Sequence, residues 1–298
     1  MEQTEKKPLT AAQKRRREQR ARVWFRAALQ AVFFLSMPGA FVAGFAGVKQ
    51  LFQRIGMGEM LQLDSFTLSL IGLCGFTILF GRFFCGFVCA FGSLGDLVYG
   101  LSGLIQKKLL GRKKQFRLPE KAVRYGQGIK YLILGGILLL CTLGIYGRLS
   151  GANPWEVFSL LTALRLPAAK YSVGILLLVL ILIGMAIHPR FFCQFLCPMG
   201  AVFSLLPVLP SAQLHRDEEQ CIPGCNACAG NCPVSLKLDG QSLRSGECIA
   251  CEACTGVCPR GNITRWDLRL LKSFWLPVLA KALLFFGMGV CLEFCRFF

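Results

Sequence analysis

Histidine is nearly missing from this sequence: 298 residues carry two, His188 and His215. Haem held by paired histidines needs more ligands than that, and the absence of any Cys-x-x-Cys-His removes covalent c-type haem. Acidic side chains are also scarce, with 16 Asp and Glu against 34 Lys and Arg and a net charge of +18. Ionisable groups are scarcer still inside the apolar runs, which argues against a transporter or a sensor with an ion path. The first 22 residues lack the apolar core and the small-residue cleavage site of a signal peptide, so no cleavable leader is expected. Nucleic acid is not the expected partner of so much positive charge, because the basic residues lie in runs flanking apolar segments, as topology signals do.

Apolar residues are what the chain does have: 54% of it is hydrophobic and its mean hydropathy is +0.53. That balance is a membrane protein's. A basic tail over residues 1–22 is expected to stay in the cytoplasm, followed by a first membrane repeat over 23–105. Its spans are residues 27–48, kinked at Pro38 and Gly39, and residues 66–80. A basic cytoplasmic loop over 106–130 leads to a second repeat over 131–210, with spans at 131–146 and 172–187. Trp155 and Tyr171 suit the interfacial aromatic belt. A ferredoxin-like segment over 211–270 follows, and residues 271–298 form a fifth apolar run interrupted by Lys281 and Glu293. The fold class expected is therefore an all-α polytopic membrane protein with a small bacterial-ferredoxin-like domain.

Sixteen cysteines carry the chemistry. Eight of them lie in two near-copies, Cys221-x3-Cys225-x2-Cys228-x3-Cys232-Pro233 and Cys248-x2-Cys251-x2-Cys254-x3-Cys258-Pro259. In this pattern three thiolates hold one iron–sulfur cluster and the fourth crosses to the other. One 4Fe-4S cluster is thus assigned to Cys221, Cys225, Cys228 and Cys258, and the second to Cys248, Cys251, Cys254 and Cys232. Zinc sites usually show two separated Cys pairs, and disulfides need an oxidising compartment that the charge pattern argues against.

Four more cysteines belong to an internal repeat. Arg82-Phe-Phe-Cys85-x-Phe-x-Cys89-x-x-Gly92 recurs as Arg190-Phe-Phe-Cys193-x-Phe-x-Cys197-x-x-Gly200. With two spans in each half, the repeats enter the membrane in the same direction. If each motif is helical, Cys85 and Cys89 share a face, as do Cys193 and Cys197, and the four thiols converge near the cytoplasmic surface. They are the candidate ligands of a further centre, a 2Fe-2S or 4Fe-4S cluster or a mononuclear iron, with reversible disulfides and plain packing as the other readings. Cys74 and Cys141 read as packing residues, and Cys291 and Cys295 as a helix end or an outer relay.

Two Cys-x3-Cys motifs closing the second and fourth spans, together with the eight-cysteine region, resemble the membrane ferredoxin proteins of the NapH, NosR and CcoG group, over about residues 23–265. Lacking room for a large extra domain, the chain resembles the NapH form most. It departs from the family where Cys89 is followed by Ala90, the family having Cys-Pro, and in the run with Cys291 and Cys295. The resemblance implies electron transfer between the quinone/quinol pool and a partner redox protein or terminal reductase, at the bacterial inner membrane. The alternative it implies is reductive assembly of a client metalloenzyme. Asp64, Glu156 and His188 are the acid–base groups near the membrane edges that quinol oxidation would draw on, although each also reads as an ordinary loop or interface residue.

Overall fold

A computed structural model describes residues 11–37, 39–60, 63–111, 118–162, 164–165, 169–217, 219–236, 246–271 and 273–294. Pro38, Cys295 and the first ten residues of the basic tail lie outside them. The membrane part is built from α1 (Ala11–Ser36), α2 (Ala40–Met57), α3 (Ser65–Phe80), α4 (Ala90–Leu110), α5 (Glu120–Thr142), α6 (Pro154–Thr162), α7 (Ser172–Ile187), α8 (Phe191–Phe195) and α9 (Pro198–Leu205). The ferredoxin-like region then adds β1 (His215–Arg216), α10 (Ala227–Gly230), α11 (Ala253–Val257), β2 (Ile263–Thr264) and α12 (Trp266–Leu271), and α13 (Trp275–Phe294) returns to the membrane part.

Among the described residues three helices are long and apolar enough to cross a membrane: Lys121–Thr142, Ala169–Ile187 and Trp275–Leu292. The first expected span is broken between Ser36 and Ala40, beside the expected kink, α1 and α2 meeting at 62°. The second, α3, has 16 residues; at 1.5 Å per residue it reaches only about 24 Å. Gly81 ends it with φ +71°, a backbone that residues with a Cβ rarely adopt. α7 also has 16 residues and also runs into a cysteine motif.

The basic segments are more ordered than their composition suggests. Residues 11–22 are the start of α1, and α4 and α5 extend into the expected 106–130 loop from both sides. Long stems let Lys and Arg ride on helices while their charges find partners. Lys130 is fully buried against Glu247. Trp155, half-buried, packs on Phe45 and Phe192, and Tyr171 is buried.

Candidate functional site

The ferredoxin-like region closes on itself through one short antiparallel pair, His215 opposite Thr264 and Arg216 opposite Ile263. That pairing brings Cys221 beside the second cysteine run. Two cavities result. One, of about 330 Å³, is lined by Cys221, Cys225, Cys228 and Cys258; the other, of about 340 Å³, by Cys232, Cys248, Cys251 and Cys254. Each cavity therefore takes three neighbouring cysteines of one run and a single cysteine from the other. Arg216 Nε lies 3.0 Å from Cys221 Sγ, and Cys258 Sγ lies 2.8 Å from Asn262 Oδ1. Around the second cavity Ala250 and Glu252 take left-handed backbone, winding the loop tightly between its cysteines.

Burial pushes the Cys232 thiol up to about 12 and the Cys248 thiol up to about 11. Taking a thiol out of water disfavours its anion, so without a positive centre both stay protonated at neutral pH. Among the described residues no three His, Cys, Asp or Glu side chains are grouped to hold a single metal ion. Soft thiolate donors in fours around two separate cavities fit polynuclear iron–sulfur groups, which exchange single electrons.

The four membrane-side cysteines are buried, and the thiols of Cys85, Cys89 and Cys193 all act electrostatically on Cys197. The motifs are not continuous α-helices, as the shared-face expectation required. Cys85 lies in a π-helical turn, Phe84–Val88, and Cys193 in the five-residue α8; Cys89 and Cys197 stand at the N-caps of α4 and α9. Each chain therefore turns at its second cysteine. Gly200 N donates to Cys197 Sγ at 3.1 Å, and helix N-termini favour negative charge at that position. Phe83, Phe84, Phe87 and Phe192 are buried in the same core cluster as the thiols and keep the setting dry.

Two buried arginines cross between the halves. The Arg190 guanidinium lies so close to Gly92 that a Cβ there would fall 2.2 Å from Nη1, and Arg82 Nη2 lies 3.1 Å from the corresponding point on Gly200. The last residue of each motif is a glycine that leaves room for the first residue of the other, more closely at Gly92 than at Gly200. Their partners differ. Arg190 is held by Asp96 at 2.8 and 2.5 Å and by Cys85 O at 2.7 Å. Arg82 donates to Gly246 O at 2.8 Å, lies 3.7 Å from Glu247, and feels the Cys85 and Cys197 thiols. Arg82 also acts on Cys248, so one cation faces both the membrane thiols and the second cavity.

The second cavity stands directly on the membrane motifs. A Cβ on Gly86, between Cys85 and Cys89, would meet Ile249 O at 2.5 Å and Cys251 Cα at 3.2 Å. Gln194, next to Cys193, donates to Pro233 O at 2.7 Å. Cys232 and Cys251 pack into the membrane core, while Cys248 and Cys254 join Cys228 and Cys258 in a separate small cluster. Glu252 completes the junction through Arg265, Asp267 and Lys281 of α13, which accounts for the charge inside the last apolar run.

Several residues at this junction have no signature in the sequence reading. Asp96, which gathers Arg190, Arg26 and Gln30, is a lone acid in an apolar stretch, and that isolation was its available signal. Glu247 had none, since it lies among ordinary loop residues. The acid–base candidates turn out to be locally engaged. Asp64 caps α3 through Thr67 N at 2.9 Å, Tyr171 donates to Glu156 at 3.1 Å, and His188 Nδ1 lies 3.0 Å from Pro189 O. Cys141 is buried, Cys74 half-buried and Cys291 exposed.

Long apolar helices and clustered thiols define a multi-pass membrane protein that binds iron–sulfur clusters. The family described as a 4Fe-4S binding domain matches residues 65–115 and 172–212, two stretches that each contain one membrane-side cysteine pair. An uncharacterized protein of Methanocaldococcus jannaschii is 32% identical over 62% of this chain and 64% of its own. The ferredoxin-type protein NapH of Haemophilus influenzae is 27% identical over 61% of each chain. The regulatory protein NosR of Pseudomonas aeruginosa is 28% identical over 59% of this chain and 24% of its own. The chain thus spans less than two thirds of these relatives' length. No solved structure matches it. The chain is similar to ferredoxin-like membrane proteins of the NapH/NosR type.

Proposed function

We propose that this protein transfers electrons between the quinone pool of the bacterial inner membrane and a partner redox protein, through two 4Fe-4S clusters and a third iron–sulfur centre at the membrane. Cys221, Cys225, Cys228 and Cys258 hold the first cluster, and Cys248, Cys251, Cys254 and Cys232 the second. Cys85, Cys89, Cys193 and Cys197 hold the third centre, and the ferredoxin-like region, residues 211–270, faces the cytoplasm. The observation that carries this reading is the junction: the cavity lined by Cys232, Cys248, Cys251 and Cys254 rests on the Cys85–Cys89 turn. When bound, the clusters supply one-electron steps, so a quinol giving two electrons and two protons is oxidised one electron at a time.

The chain's own residues set the conditions. Arg82 and Arg190 offset the negative charge of the membrane thiolates, which a dry site would otherwise make costly. A cavity of about 770 Å³ lined by Arg82, Ser204, Gln213 and Cys248 is the place we assign to the quinone headgroup. Among the described residues Arg82 Nε and Gln213 Oε1, both buried, have no hydrogen-bond partner, one being a donor for a carbonyl and the other an acceptor for a hydroxyl. The neighbouring Leu205 and Leu209 are exposed apolar residues, suited to the lipid side.

The test is reconstitution with a quinol analogue while cluster absorbance is followed. Reduction or reoxidation of the clusters is expected; silence toward every quinone, with clusters intact, would reject the quinone reading in favour of reductive metalloenzyme assembly. A Cys85→Ser plus Cys193→Ser variant should lose iron beyond the roughly eight atoms of two 4Fe-4S clusters, together with one EPR signal. Unchanged iron content and spectra would remove the third centre.

A further inference from the structure

Cys258 is a wall shared by two spaces. On one side it closes the cavity that also holds Cys221, Cys225 and Cys228; on the other it borders a groove of about 540 Å³. The far bank of that groove is α1, with Arg15, Glu18, Gln19 and Arg22, and the near bank includes Thr255 and Arg260. Arg15 donates to Pro259 O, and Arg22 donates to Thr255 Oγ1 at 3.3 Å. Three arginines thus line the groove against one acid, and that acid, Glu18, is already paired with Arg22. Lys14, Arg16, Arg17 and Arg20 are exposed on the same helix.

Membrane topology alone asks only that positive charge lie near a span. It does not ask that Arg15 and Arg22 reach the peptide that follows a cluster cysteine. Nor does it ask for a groove whose floor is the cysteine itself. Clefts lined by one sign of charge concentrate partners of the other sign and speed their encounter.

We propose that this groove is the docking site of an acidic one-electron carrier protein, which exchanges its electron with the first cluster at Cys258. The proposal rests on the electron-transfer reading above and adds the contact surface and the charge of the partner. In each encounter the reduced carrier loses one electron and the oxidised cluster gains it; no proton moves and no bond is broken. Arg15 and Arg260 act as positioning residues, holding carboxylates of the carrier beside Cys258, while Arg22 is taken up by Glu18 and Thr255.

The experiment uses the full chain, with its clusters, in neutral detergent. The probe is an acidic plant-type 2Fe-2S ferredoxin, reduced beforehand and mixed by stopped flow. The second-order rate of cluster reduction is expected to fall about tenfold between about 50 and 500 mM salt. Arg15→Glu plus Arg260→Glu should lower it about tenfold or more at low salt, and the milder Arg15→Gln plus Arg260→Gln by less, while dithionite reduces both variants as it reduces the unaltered protein. A rate indifferent to salt and to charge reversal would overturn the proposal. So would failure of the ferredoxin to react where dithionite succeeds. A charge-reversal variant that keeps its rate but no longer binds vesicles containing phosphatidylserine would assign the groove to lipid headgroups instead. Failure of dithionite on the unaltered protein is a different result, which rejects electron transfer itself.

Discussion

Arg82 and Arg190 occupy equivalent places in the two motifs, yet their surroundings separate them. Arg190 is neutralised by the two-point contact with Asp96, while Arg82 shares Glu247 with Lys130 and reaches toward Cys248. Charge near an iron–sulfur group shifts its potential. Arg82→Gln should therefore lower the potentials of the second cluster and the membrane centre and leave the first cluster where it was, as redox titration followed by EPR would show. The thiols add a pH dependence. A group whose folded value is raised contributes stability that is complete below its ordinary value, 9.0 for these thiols, and lost as pH rises through the folded value. The cluster-free protein should thus weaken between about pH 9 and pH 12 as Cys248 and Cys232 ionise. Cluster insertion releases those protons, so it should grow more favourable across the same range. Chemical denaturation of the cluster-free form and pH-dependent reconstitution check the two halves.

Among the elements, α13 has the clearest double role. Its apolar faces pack on α1 and α3 through Phe285, which meets Phe33 and Phe76 edge-on. Its one described charge on the buried side, Lys281, reaches Asp267 and joins the chain of ion pairs that ends at Glu252, inside the second cysteine run. Lys281→Met leaves Asp267 with Arg265 alone, so a loss of about 1–3 kcal/mol is expected rather than the full cost of an unpaired buried charge. Bleaching of the visible iron–sulfur absorbance by a chelator should quicken in that variant. Read as sequence, this helix was an apolar run spoiled by a lysine. The residue was legible and its purpose was not, because the partner lies in another segment. The same holds for α1, whose arginines read as a topology signal and prove also to touch Pro259 and Thr255.

At the scale of the whole molecule, the contact of α1 with the ferredoxin-like region puts both on one side of the membrane. Trypsin should cut the exposed arginines of α1 and Arg260 together in inside-out vesicles and spare both in right-side-out ones. Cleavage of one set in each preparation would break that arrangement. The 16-residue α3 ends at Phe80 with the apolar run that marked it, and the 62° bend between α1 and α2 falls where Pro38 and Gly39 interrupt the first span. Hydropathy counts apolar residues in a row. It does not register a buried cation such as Lys130, which α5 carries against Glu247.

The sequence by itself determined the chemistry: a membrane chain, thiol donors in iron–sulfur spacing, and a duplicated cysteine motif. These are written in short-range patterns, since cluster loops need neighbouring ligands and a bilayer needs runs of apolar residues. Only the tertiary structure decided which cysteine run stands against the membrane motifs, which arginine faces it, and what borders Cys258. Those are contacts between segments one or two hundred residues apart, formed when close approach at Gly86, Gly92 and Gly200 lets buried charges find their partners.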